Sequence, residues 1–97
     1  MADAYDLSVK ANRLGHELGD LLGDARRAKL VSKILTFVQS EDMRTLAELM
    51  TDFFSEMNID VSDITDFLRD RKNPMEERTS IGSAFALGVR GPIKRRY

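Results

Sequence analysis

Leu46-Ala47-Glu48-Leu49-Met50-Thr51-Asp52-Phe53-Phe54-Ser55-Glu56-Met57 is the stretch that decides the fold class. Leu46, Leu49, Met50, Phe53, Phe54 and Met57 recur at i, i+3, i+4 and i+7, which gathers them on one stripe of an α-helix. Asn58 tolerates the left-handed conformation that commonly closes a helix, so the helix is predicted to stop there. Ser40 reads as its N-cap, with Glu41 and Asp42 in the first turn, where the helix dipole favours negative charge.

The flanking segments follow the same period. Residues 25–39 place Leu30, Val31, Ile34, Leu35 and Val38 on an apolar face, with Asp24 as N-cap. Residues 4–22 carry Leu7, Ala11, Leu14, Leu18 and Leu21 at alternating spacings of four and three, and Gly23 stops that helix. Further on, Asp60 or Ser62 opens a fourth helix that buries Val61, Ile64, Phe67 and Leu68. It ends at Asn73-Pro74, because proline disfavours a helical conformation in the residue before it. Asn73-Pro74-Met75-Glu76 then reads as a fresh start: cap, proline at the first position, glutamate at the third. Residues 81–89 are apolar or small on every side, as in a helix buried all round, and Arg90-Gly91-Pro92 ends it. No strand-like alternation, repeat or low-complexity tract interrupts this pattern.

The expected fold is therefore all-α: a compact bundle of about five short helices in one domain over residues 1–92, followed by a basic tail, 93–97. Short connections lead us to expect antiparallel neighbours. A chain of 97 residues builds only a small core, so its stability depends on close helix packing or on a larger neighbour.

The net charge of −1 conceals strong polarity. Residues 24–39 set Arg26, Arg27, Lys29 and Lys33 against Asp24 alone. Residues 40–70 hold nine acids against Arg44 and Arg69, and residues 71–97 hold seven basic side chains against Glu76 and Glu77. An acidic middle and a basic C-terminal end result.

Several classes of chemistry find no support. The chain has no cysteine, which removes thiolate catalysis and thiolate zinc sites. His16 is the single histidine and lies beside Glu17, and Asp63 and Asp66 form a carboxylate pair with no base or pocket, so neither catalytic residues nor a metal site is expected. No Gly-rich phosphate loop follows a strand, so no cofactor and no small-molecule substrate is expected. Residues 1–20 carry Asp3, Asp6, Arg13 and Glu17 where an export signal would be apolar. The apolar part of residues 79–97 is too short for a membrane anchor. The expected location is the cytoplasm or a particle assembled there.

Two features carry functional expectations. Ala11, Gly15, Gly19 and Gly23 lie four apart, a bare row that lets another backbone approach closely. It is expected to receive the helix holding Gly82, Ala84, Ala86 and Gly88, with an oligomer contact as the alternative. Second, Arg26, Arg27, Lys29 and Lys33, together with Arg90, Lys94, Arg95 and Arg96, form the candidate nucleic-acid surface, with Tyr97 able to stack on a base. A helix-turn-helix built on Met57-Asn58-Ile59-Asp60 is rejected, because Asp60, Asp63, Asp66 and Asp70 would repel phosphates. The expectation is a non-enzymatic structural or adaptor subunit of a larger macromolecular assembly, with other protein subunits as partners. The alternative is a nucleic-acid-binding protein making sequence-independent backbone contacts, such as a small helical subunit of a nucleoprotein complex or virion.

Overall fold

A computed structural model describes residues 3–91. These residues form an all-α bundle with no strand: α1 (Ala4–Leu21), α2 (Asp24–Gln39), α3 (Met43–Glu56), α4 (Ser62–Arg69) and α5 (Met75–Arg90). The expected boundary between bundle and basic tail, together with Lys94, Arg95, Arg96 and Tyr97, lies outside the described residues.

The turn between α2 and α3 differs from the expected one. The Ser40 hydroxyl turns back and donates to the Thr36 carbonyl at 2.9 Å, so it closes α2 instead of opening α3. Asp42 is the cap of α3, its carboxylate accepting the Thr45 N–H at 3.1 Å. The backbone N–H groups of Glu41 and Asp42 donate to Val38 and Phe37 at 3.1 and 2.9 Å, satisfying carbonyls that the end of α2 would leave bare. Glu41 takes the left-handed conformation, φ 59°, that this closure requires. The end of α3 repeats the motif with Asn58 at φ 58°, Asn58 donating to Ser55 and Ile59 to Phe54.

α4 is shorter than its hydrophobic pattern implied. Asp70 turns extended, with ψ 110°, and its carboxylate accepts the Lys72 N–H at 2.9 Å. The Asn73 side chain donates back to the Phe67 carbonyl at 3.1 Å and so is not the cap of α5. Pro74 takes that position, its carbonyl receiving the N–H groups of Glu77 and Arg78.

Helix α5 is the organiser of the bundle. Asn12 lies at Ala84, Gly15 at Phe85 and Gly19 at Val89, so α1 runs parallel to α5. Along α2 the order reverses, with Val38 at Gly82 and Arg27 at Gly91, so α2 runs antiparallel to α5. α3 and α4 pair with each other and close the core from below. The consecutive helices α1 and α2 scarcely touch, contrary to the expected antiparallel pairing of neighbours. Leu22 and Gly23 are both extended, which swings α2 off the axis of α1 and leaves the bare face of α1 to α5.

Phe54 and Phe85 meet at the centre with ring centroids 5.9 Å apart and planes inclined by 58°. Around them Ile34, Leu46, Met50, Ile64, Leu68, Ile81 and Val89 are fully buried, each side chain stabilising the fold by about 1.5–3 kcal/mol. Three expectations about burial need correction. Leu87 is 60% exposed, so α5 is not enclosed on every side, Leu21 at the last position of α1 is 69% exposed, and Leu35 of α2 is exposed as well.

Candidate functional site

The fold divides the cationic residues read from the sequence. Arg26, Lys29 and Lys33 lie at i, i+3 and i+7 of α2 and line one side of a groove of about 280 Å³ between α2 and α3. Its floor is Leu22, Leu30, Leu49 and Phe53, of which only Leu30 is buried and the others are half-buried. None of the three cations belongs to an ion pair among the described residues. They form an unspent positive rim over an apolar floor.

Arg27 points elsewhere. Its Nε and Nη2 donate to the Gly19 carbonyl at 3.2 and 3.0 Å, which caps the C-terminal end of α1 where the helix dipole favours a cation. Arg27 and Arg90 line a second groove, of about 410 Å³, whose floor includes Val31 and Leu35. The start of α2 and the end of α5 are thereby brought together, although 63 positions apart in sequence.

The glycine row is occupied within the chain. A Cβ on Gly15 would collide with the Phe85 carbonyl, and one on Gly19 with the Val89 carbonyl. Gly88 answers from α5 by leaving room for the Asn12 carbonyl. Ala11 is fully buried. Gly23 does not belong to this contact: nothing lies within 4 Å of its Cβ position, and it serves as the N-cap of α2. The face of Gly15 and Gly19 is thus covered by α5 and is closed to a second molecule.

The acids of the middle segment have local tasks. Asp63 receives Lys10 Nζ at 2.9 Å, and the same ammonium donates to the Asp60 carbonyl at 3.2 Å, tying α1 to the start of α4. Asp60 Oδ1 accepts the Ser62 N–H at 2.9 Å. Hydrogen bonds from the Ser62 hydroxyl and N–H hold the Asp60 carboxyl below its usual range, with Lys10 helping. His16 faces Asp20 at 3.7 Å, an exposed pair one turn apart, and not Glu17.

Compared with known proteins, the chain matches no family model, no curated protein and no solved structure. The functional reading therefore rests on the residues themselves. Among the described residues no group of three or more His, Asp and Glu is placed to hold a metal ion. No described helix is long and apolar enough to cross a membrane.

One concentration of charge escaped the sequence reading. Arg44, Arg69, Arg71 and Arg78 converge on a cleft of about 700 Å³ between the α2–α3 turn, the end of α4 and the first turn of α5. In sequence these residues are spread over 35 positions and mixed with acids, so the basic residues at 69–72 and Arg78 are visible but their meeting with Arg44 is not. The available signal is that each sits at a helix end, where a compact bundle brings separate segments together.

Proposed function

We propose that the chain is a non-catalytic adaptor subunit of a larger assembly, working in the cytoplasm or in a particle assembled there. Its α2–α3 groove takes up an acidic amphipathic helix of a protein neighbour. The observation that carries this reading is the unpaired rim of Arg26, Lys29 and Lys33 above Leu22, Leu30, Leu49 and Phe53. An amphipathic helix seats apolar side chains in such a floor, while carboxylates on its flank meet the rim. A nucleic-acid backbone would meet the rim but leave the three leucines of the floor without a matching surface.

The test is a fluorescence anisotropy titration with a labelled amphipathic helix carrying Glu on one flank, its Lys-flanked counterpart and a mixed-sequence oligonucleotide. The reading requires the acidic helix to bind more tightly than both. Preference for the Lys-flanked peptide would overturn it.

A second reading has its own observation in favour. Arg27 and Arg90 line one groove, which brings the basic start of α2 beside the end of α5. That juxtaposition concentrates cations at one end of the molecule, as sequence-independent contact with a phosphate backbone would need. In the same titration it requires the oligonucleotide to bind best, with affinity falling steeply as salt rises.

A further inference from the structure

The cleft lined by four arginines is separate from the α2–α3 groove, and its chemistry is different. Arg78 stands at its back, only 8% exposed. A guanidinium at that depth is costly unless an anion or several acceptors compensate it. Its Nε donates to the Asn73 carbonyl at 3.1 Å, which fixes the plane of the group. No described protein group accepts from its terminal nitrogens, yet neither of them is a sealed, unsatisfied atom, so both remain open to the cleft.

The carboxylates of the cleft do not neutralise it. Asp42 is engaged as the cap of α3, and Glu48 pairs with Arg44 at 3.7 Å. Neither Arg69, Arg71 nor Arg78 belongs to an ion pair among the described residues, and the four arginines of the lining outnumber its three carboxylates, Glu41, Asp42 and Glu48. Three guanidinium groups lining one cleft, from the end of α4, the turn after it and the first turn of α5, are suited to a compact dianion, each fork offering paired N–H donors.

We infer that this cleft binds the phosphate group of a small phosphorylated molecule. Its volume falls in the range of small-ligand sites, roughly 300–1,000 Å³, and the half-buried Met75 offers an apolar side chain to the body that carries the phosphate. A nucleic-acid strand fits less well, because the three carboxylates of the lining leave too little positive charge for a run of phosphates.

The test is isothermal titration of the full chain with inorganic pyrophosphate, a nucleoside diphosphate and a mixed-sequence oligonucleotide, in wild type and in the double variant Arg69→Glu, Arg71→Glu. Both substituted residues are exposed, so the variant should fold, and its circular dichroism checks that it does. Expected are saturable one-to-one binding of pyrophosphate, tighter binding of the nucleoside diphosphate, and at least a tenfold loss of both in the double variant. The Arg78→Lys variant, which keeps the charge but loses the fork, should also bind at least tenfold more weakly. No saturable binding of either phosphate compound overturns the assignment. So does binding that survives the double charge reversal, or an oligonucleotide that occupies the cleft in preference to both.

Discussion

Glu41 and Asp42 show how much a single turn decides. Glu41 is held at φ 59°, where a side chain costs about 1–2 kcal/mol relative to glycine. Asp42 simultaneously completes the closure of α2 and caps α3. Replacing Glu41 with glycine should therefore stabilise the fold by about 1 kcal/mol, read as a rise in the midpoint of urea denaturation with an unchanged slope. A lower midpoint would show that the glutamate side chain does more than occupy the turn. Asp60 supports a prediction in pH. Its folded carboxyl titrates below its unfolded value, chiefly through the Ser62 hydroxyl. The associated stabilisation is present above the ordinary carboxylate range and is lost as pH falls through the lowered folded value. An NMR titration should place the Asp60 midpoint higher in Ser62→Ala than in wild type, and equal midpoints would refute the role of the Ser62 hydroxyl. Residue-scale detail was only partly legible in the sequence. Asn58 was readable as a left-handed helix stop because asparagine favours that conformation. Glu41 was not, because nothing in a glutamate announces it and Ser40 offered a more conventional cap.

Among the elements, α1 and α5 form the joint on which the bundle depends. Their backbones approach so closely that Gly15, Gly19 and Gly88 each face backbone atoms of the other helix. Gly15→Ala should destabilise the protein by about 2–3 kcal/mol, since backbone cannot yield as a flexible side chain does. Gly23→Ala, four residues beyond Gly19 in the same apparent row, should change stability by less than about 0.5 kcal/mol because its surroundings are open. Thermal denaturation of the two variants decides the matter, and equal losses would contradict the close approach of α1 and α5 at Gly15. The small-residue spacing exposed this contact in the sequence, and the complementary glycines of residues 81–89 suggested its partner. The parallel direction and the near-absence of contact between α1 and α2 were not legible. The second follows from the two extended residues Leu22 and Gly23, whose conformation the hydrophobic period does not encode.

At the scale of the whole molecule, the polarity of charge resolves into distinct surfaces. Asp60, Asp63 and Asp70 serve turns and a tie to Lys10. Arg27 caps a helix, and Arg26, Lys29 and Lys33 remain unpaired beside an apolar groove. Composition revealed the clusters but could not separate structural cations from free ones, because that distinction depends on which carbonyl or carboxylate the fold delivers to each. The i, i+3, i+7 spacing on α2 did place three cations on one stripe. The floor from Leu49 and Phe53, however, comes from a different helix that was read simply as core.

The measurement that tests the central claim most directly is the affinity of the acidic amphipathic helix for wild type and for the triple variant Arg26→Glu, Lys29→Glu, Lys33→Glu. It is taken at about 0.15 M salt, where long-range attraction between exposed charges is largely screened. Docking in the α2–α3 groove predicts at least a tenfold loss, or about 1.4 kcal/mol, with the fold unchanged by circular dichroism. Equal affinity in the folded variant would contradict the account and remove the groove as the site where this chain meets its neighbour.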